Sequence, residues 1–155
     1  MSGSNVVVMG AARSGVAAAK LLVSRGANVT VSDQLPAVEH ADELRANDIE
    51  LELGGHRTET LQAADLVVLS PGVSPHQAAV ETTRRRGIPI ISEIELAARW
   101  LRGRIVAVTG TKGKSTTTVL TGRMFSEAGR KAARKEPRIP VSRSPWKPPR
   151  LRSAS

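Results

Sequence analysis

The sequence contains no cysteine, and this absence excludes disulfide bridges and any chemistry that depends on a thiol. No apolar run approaches the roughly 18 consecutive residues expected of a membrane-spanning helix. The first residues also lack a basic region followed by an apolar segment, which is the pattern of a secretory signal. We therefore expect a cytoplasmic protein that makes no contact with a membrane.

Acidic residues are scarce in one part of the chain only. The 155 residues carry a net charge of +9, yet nine of the 23 Lys and Arg residues and only one of the 14 acidic residues lie in residues 130–155. The part before residue 130 is therefore nearly neutral. A broad basic surface that binds nucleic acid is not expected there.

The basic tail, residues 130–155, differs in kind from the rest. It holds five of the nine prolines and shows neither helical nor strand periodicity, so we expect it to be disordered. Its Arg, Pro and Ser content is typical of a GC-rich message read in a wrong frame, and we interpret it as the product of a frameshift or truncation near residues 130–135. An open second reading frame would support that interpretation, and its absence would contradict it. A basic arm that binds nucleic acid, with Trp146 stacked on a base, is the alternative.

The front of the chain alternates short apolar runs with helix-forming segments. Strands are predicted near residues 5–9, 27–32, 49–53, 64–69 and 87–91, and helices near residues 16–23, 38–46, 58–63, 77–86 and 93–101. This alternation predicts an α/β fold over residues 1–102, with a Rossmann-like parallel sheet and ligands at the carboxyl ends of its strands. The Glu residues of the third strand are expected to face water, as are the scattered histidines His40, His56 and His76.

A glycine-rich turn follows the first predicted strand. Gly10 allows a tight turn and Gly15 allows close packing of helix on strand, although Ala12 replaces the middle glycine of the dinucleotide-binding pattern. Asp33 ends the second strand, near the spacing of a ribose-binding acid. The turn, Asp33 and the Ser-Pro-Gly segment at residues 70–72 all fall at one edge of the sheet. A nucleotide site is predicted there, and a plain turn without a ligand or a dinucleotide-binding oxidoreductase domain are the alternatives.

A second phosphate-binding pattern, Thr-Gly-Thr-Lys-Gly-Lys-Ser-Thr, occupies residues 109–116. The apolar run at residues 106–109 predicts a strand, and a helix is expected from about Ser115. Between them the glycines allow backbone N–H groups to point at an anion, and the helix N-terminus adds its positive dipole end. Lys114 can reach the outer phosphates of a nucleotide, and the Ser115 hydroxyl can ligate Mg²⁺. A Gly- and Lys-rich surface turn is the alternative.

In their order and spacing these segments resemble the D-glutamate-adding branch of the Mur ligase family of peptidoglycan synthesis. The resemblance covers about residues 4–130. It rests on Gly-Ala-Ala-Arg-Ser-Gly at 10–15, Val-Ser-Asp at 31–33, Leu-Ser-Pro-Gly-Val at 69–73, Gly-Ile-Pro-Ile-Ile-Ser-Glu-Ile-Glu-Leu at 87–96 and Val-Thr-Gly-Thr-Lys-Gly-Lys-Ser-Thr at 108–116. The sequence departs from the family at Lys112, where Asn is usual.

The resemblance implies a ligase that uses ATP and Mg²⁺ to join D-glutamate to UDP-N-acetylmuramoyl-L-alanine. It implies that the UDP part of this substrate binds to Gly10, Arg13, Ser14, Gly15, Asp33, Gln34, Ser70, Pro71 and Gly72. It also implies that ATP binds to Gly110, Thr111, Lys112, Gly113, Lys114, Ser115 and Thr116. Lys114 would then be the catalytic residue that neutralises charge on the transferred phosphoryl group, and Ser115 would hold Mg²⁺.

The resemblance also shows which parts of such a ligase find no match in the sequence. No segment corresponds to the family's D-glutamate-binding domain or to its further metal ligands. Residues 103–129 are expected to be the start of a central ATP-binding domain, with one strand, the loop and one helix, because so few residues cannot close a core. We therefore expect the chain by itself to be inactive as a ligase.

Overall fold

The computed structural model describes residues 3–101 and 104–130. These residues form two compact units, one that ends at Trp100 and one that begins at Leu101. The predicted disorder of residues 130–155 falls outside the described residues, apart from Arg130.

The first unit is built on a parallel sheet of five strands. They are β1 (Asn5–Met9), β2 (Asn28–Asp33), β3 (Glu50–Leu53), β4 (Leu66–Leu69) and β5 (Ile90–Ser92). Their order in the sheet is β3-β2-β1-β4-β5, and every neighbouring pair is parallel. β1 therefore lies at the centre of the sheet. The chain adds β2 and β3 on one side of β1, and then β4 and β5 on the other side. The predicted α/β fold with a Rossmann-like parallel sheet is confirmed.

Five helices cover this sheet on both faces. They are α1 (Arg13–Val23), α2 (Ala41–Arg45), α3 (Thr58–Gln62), α4 (Ala78–Arg85) and α5 (Glu93–Ala98). One buried cluster joins the sheet to Leu22 of α1, Leu44 of α2 and Leu96 of α5. A second cluster joins it to Leu61 of α3 and Val80 of α4. Because both faces are covered, the central strands are apolar along their length, as the short Val-rich runs indicate.

The third strand departs from its predicted pattern. Glu50 is exposed, as expected, but Glu52 is buried, with 8% of its surface exposed. The alternation of Glu and Leu predicted that both glutamates are exposed to water. This prediction was wrong for Glu52. The reason is tertiary: the segment after β3 folds over Glu52 and supplies hydrogen-bond donors to its carboxylate.

The second unit contains helix α6 (Lys114–Glu127). This helix begins close to the expected position at Ser115. The prediction of a strand at residues 106–109 was wrong. A strand needs a hydrogen-bonded neighbour, and no described segment pairs with residues 104–110. Ile105 and Val106 are exposed there. None of the described helices is long and apolar enough to span a bilayer.

Candidate functional site

Two of the predicted substrate segments meet at the carboxyl edge of the sheet. The glycine turn, residues 10–15, follows β1, and the Ser-Pro-Gly loop, residues 70–72, follows β4. These strands are neighbours at the point where the strand order reverses, which is where open α/β sheets bind ligands. Ser70 is buried, and its hydroxyl lies 3.2 Å from the carbonyl oxygen of Gly10. Segments that are 60 residues apart in sequence are therefore in direct contact.

Gly15, the last residue of the glycine turn and part of α1, packs directly against Gly10 at the start of that turn. A Cβ atom built at this position would lie 2.0 Å from the carbonyl oxygen of Gly10 and 2.8 Å from Oγ of Ser70. The protein itself thus fills the space in which a side chain at residue 15 would lie. The glycine is required by the packing of α1 on the turn, whatever ligand the turn binds.

Asp33 ties the end of β2 to the same turn. Its Oδ2 accepts a hydrogen bond of 2.7 Å from the Ala11 amide, and its Oδ1 accepts one of 2.9 Å from the Leu35 amide. Each carboxylate oxygen keeps a second acceptor position. The structure therefore gives Asp33 a role in holding the turn, and its role in binding a ribose or a base stays a prediction.

The other predicted substrate residues form an accessible rim around this contact: Arg13, Gln34, Pro71 and Gly72 are exposed, and Ser14 is partly exposed. Arg13 begins α1, and the N-cap residue Ala12 offers no side-chain hydrogen bond to the first amides of the helix. These amides and the guanidinium of Arg13 place positive charge at one corner of the rim, as a phosphate group requires.

A buried polar cluster beside Asp33 was missed in the sequence. Ser32 of β2 lies opposite Glu52 of β3 in the sheet register, and its hydroxyl donates to Oε1 of Glu52 at 2.9 Å. Glu52 also accepts hydrogen bonds from the Arg57 amide at 2.7 Å and from the Thr60 hydroxyl at 2.5 Å. Nδ1 of His56 lies 2.8 Å from the same Ser32 hydroxyl. Nothing in the spacing of these residues along the chain indicates the cluster.

Hydrogen bonding keeps the pKa of Glu52 low in spite of its burial. Burial by itself would raise the pKa of its carboxyl, but the hydrogen bonds from Thr60, from the Arg57 amide and from Ser32 outweigh it. The pKa of Glu52 therefore lies below its ordinary value of 4.5. At neutral pH the group is an ionised acceptor with three donors.

This arrangement lets us assign the tautomer of His56. Ser32 has one hydroxyl proton, and the ionised Glu52 can only accept it. Nδ1 of His56 therefore carries a hydrogen and donates it to Ser32, which leaves Nε2 as an acceptor. Burial lowers the pKa of His56 below its ordinary value of 6.5, although the charges of Asp33 and Glu52 act in the opposite direction. The predicted surface position of His56 was wrong, because one ring nitrogen is bonded inside the cluster and the ring is partly buried.

The phosphate loop, residues 110–116, lies at the N-terminus of α6, a helix of 14 residues. Gly113 is the N-cap and adopts φ of +77°, a left-handed conformation that favours glycine. No side chain caps the helix, so its first amides are available to a ligand. Lys114 donates from Nζ to the carbonyl oxygen of Gly110 at 2.5 Å. Backbone amides at the positive end of a helix, together with one lysine, form a donor set that fits nucleotide phosphates.

The remaining residues of the phosphate loop are open to solvent: Thr111, Lys112, Ser115 and Thr116 are exposed. The Ser115 hydroxyl suits a single oxygen ligand to Mg²⁺. No group of three or more His, Asp or Glu side chains within the described residues could hold a metal ion.

Comparison with known proteins shows the family to which this chain belongs. Residues 4–92 match the model of the Mur ligase MurD-like N-terminal domain. The chain is 42% identical over 132 residues to the UDP-N-acetylmuramoylalanine–D-glutamate ligase of Koribacter versatilis, an alignment that covers 83% of this chain and 29% of the relative. It is 46% identical over 129 residues to the ligase of that name from Anaeromyxobacter dehalogenans, covering 81% of this chain and 28% of the relative.

Solved structures of Mur-type ligases share the fold. A pseudomurein peptide ligase type C from Methanothermus fervidus aligns with a TM-score of 0.57 and 26% identity, over 82% of this chain and 27% of its own. A murein peptide ligase from Psychrobacter arcticus aligns with a TM-score of 0.59 and 25% identity, over the same shares. The chain thus spans less than a third of the length of these relatives. It belongs to the Mur ligase family, in which it corresponds to the N-terminal part of a MurD-like ligase.

Proposed function

We propose that the first unit binds the UDP part of UDP-N-acetylmuramoyl-L-alanine for a ligase that adds D-glutamate. One observation carries the proposal: the glycine turn and the Ser-Pro-Gly loop meet at the reversal point of the sheet. The names of the curated relatives support the choice of substrates. The rim residues Arg13 and Ser14 and the first amides of α1 would hold the diphosphate. Asp33 and Gln34, at the end of β2, would hold the nucleoside.

The full 155-residue chain is expected to bind UDP, and Arg13→Ala is expected to weaken that binding by about tenfold, because a charge-assisted hydrogen bond to phosphate is lost. Isothermal calorimetry measures the affinity. Arg85→Ala is the matched control, since it removes the same charge from an exposed residue at the C-terminal end of α4, towards the opposite edge of the sheet.

The same calorimetry separates the alternatives. Tighter binding of NAD than of UDP would overturn the proposal in favour of a dinucleotide-binding oxidoreductase domain. An equal loss of UDP affinity in Arg13→Ala and Arg85→Ala would show a general charge effect and would contradict the assigned diphosphate position.

The phosphate loop would bind the phosphates of ATP, with Mg²⁺ on Ser115. ATP supplies the phosphoryl group that activates the substrate carboxylate, and Lys114 would neutralise charge on it. The ammonium group of Lys114 has three N–H donors, of which one is bonded to the Gly110 carbonyl at 2.5 Å. A further donor would therefore be available to a phosphate oxygen, a charged partner that makes the stronger hydrogen bond.

The polypeptide of these 155 residues alone is expected to release no phosphate in response to D-glutamate. Alignment of the reacting groups contributes roughly 7–11 kcal/mol to barrier reduction in such reactions. The described residues provide the UDP rim and one phosphate loop, but no identified position for the amine of D-glutamate. A coupled phosphate-release assay with UDP-N-acetylmuramoyl-L-alanine, D-glutamate and Mg-ATP checks this. Turnover by a preparation free of host ligase would contradict it.

Two further expectations stay predictions. A nucleic-acid-binding role would depend on residues 130–155, which lie outside the described residues apart from Arg130. Family membership favours the ligase over that role. The cytoplasmic location also stays a prediction.

A further inference from the structure

Glu93 is a buried carboxylate behind the two substrate segments. It is the first residue of α5 and is 4% exposed. Its Oε1 accepts a hydrogen bond of 2.6 Å from the Ser70 hydroxyl. That hydroxyl also lies 3.2 Å from the carbonyl oxygen of Gly10. A single hydroxyl therefore connects Glu93 to the Ser-Pro-Gly loop and to the glycine turn.

The capping of α5 does not explain this residue. Ser92 is the N-cap, and the reciprocal capping box is completed by Glu95, whose carboxylate accepts from the Ser92 amide at 2.8 Å. The pattern Ser-x-x-Glu thus accounts for Glu95. Glu93 takes no part in the capping box.

Glu93 is also poorly satisfied by its surroundings. Its Oε2 is buried and has no hydrogen-bond partner among the described residues, whereas Glu52 has three donors. A buried carboxylate with an unpartnered oxygen costs folding free energy. An acid in the first turn of a helix is favourable, but in a helix of six residues this offsets only part of the cost. An apolar residue of similar volume would avoid the cost, so a requirement beyond stability favours a glutamate here.

The Ser70 hydroxyl has one proton and two acceptors within reach. The shorter bond, to Glu93, directs the proton away from the glycine turn. Without Glu93 the proton would turn fully to the Gly10 carbonyl, and the loop would lose its hydrogen bond to α5. The two segments are in contact, with 3.2 Å between Oγ of Ser70 and the carbonyl oxygen of Gly10, so the orientation of this hydroxyl affects how the loop packs on the turn.

We infer that Glu93 is a positioning residue for the UDP site, acting through Ser70 to set how the Ser-Pro-Gly loop packs on the glycine turn. The inference rests on the proposed function. It assigns Glu93 no contact with the substrate.

Calorimetry with UDP and thermal unfolding of the full chain test this inference. Glu93→Leu is expected to melt at the wild-type temperature or above it, because a poorly satisfied buried carboxylate is removed, and yet to bind UDP about tenfold more weakly. Glu93→Gln keeps an oxygen acceptor for Ser70 and is expected to bind within about threefold of wild type. The matched control Glu95→Leu removes the carboxylate half of the capping box and is expected to show the opposite pattern, a lower melting temperature with unchanged affinity.

The outcomes are distinguishable. A wild-type chain that does not bind UDP would overturn the proposed function and this inference with it. If the wild type binds UDP, equal affinity in Glu93→Leu would overturn the inference alone. A Glu93→Leu chain that fails to fold or melts well below wild type would assign Glu93 a structural role. Binding by Glu93→Gln as weak as that of Glu93→Leu would show that the hydrogen bond to Ser70 is not what matters.

Discussion

Replacing Gly15 by alanine is expected to cost the first unit about 3 kcal/mol or more of its free energy of unfolding. The added Cβ would lie 2.0 Å from the carbonyl oxygen of Gly10. That oxygen is a backbone atom held between β1 and α1. The steric clash can therefore be relieved only if the helix or the turn moves. The loss is a large part of the roughly 5–15 kcal/mol that stabilises a typical domain. Chemical denaturation followed by circular dichroism measures it.

Gly72→Ala is the matched control for this experiment. It adds the same methyl group to the opposite segment of the site, where a Cβ would meet no atom within 4 Å. Its stability is expected to lie within about 0.5 kcal/mol of wild type. A Gly15→Ala chain as stable as Gly72→Ala would mean that α1 does not pack on the turn in the way described.

Replacing Glu52 by alanine is expected to destabilise the first unit by roughly 3 kcal/mol at neutral pH. The change removes the acceptor of the Thr60 hydroxyl and of the Arg57 amide, leaves the Ser32 proton only the longer contact of 3.3 Å to the Gly55 carbonyl, and opens a cavity. Glu50→Ala on the same strand is the matched control. Glu50 is exposed, and its contact with the Thr30 hydroxyl is long, at 3.3 Å. We expect a change within about 0.5 kcal/mol there.

The effect of Glu52→Ala should depend on pH with a definite sign. The pKa of Glu52 is lower in the folded state than its ordinary value of 4.5, so the unfolded chain takes up a proton first as the pH falls. The contribution of the carboxylate is therefore fully present above pH 4.5 and is lost as the pH falls through the folded-state pKa. Unfolding curves of both chains at pH 7 and pH 3 measure the difference. A difference that does not change with pH would contradict the carboxylate as its source.

Local patterns were sufficient to predict the fold. Short Val-rich strands separated by helix-forming segments bury both of their faces when helices cover a parallel sheet on both sides. Because the strands are parallel, residues 10–15, 33–34 and 70–72 all lie at the carboxyl edge of that sheet. The strand at residues 106–109 was mispredicted because pairing is not a local property. An apolar β-branched run forms a strand only where another strand offers it hydrogen bonds.

The sequence by itself determined the parallel sheet and the edge at which the predicted substrate residues lie, because periodicity and glycine spacing are local and repeat along the chain. The order of its motifs was enough for the resemblance to the family. Only the tertiary structure decided which polar groups are buried. Glu52, His56 and Glu93 look like ordinary surface residues in the sequence. Glu52 and Glu93 are buried and His56 is partly buried. Their hydrogen-bond partners lie up to 24 residues away, such as the Ser32 hydroxyl for His56, and bonds across that distance exist only once the strands have assembled.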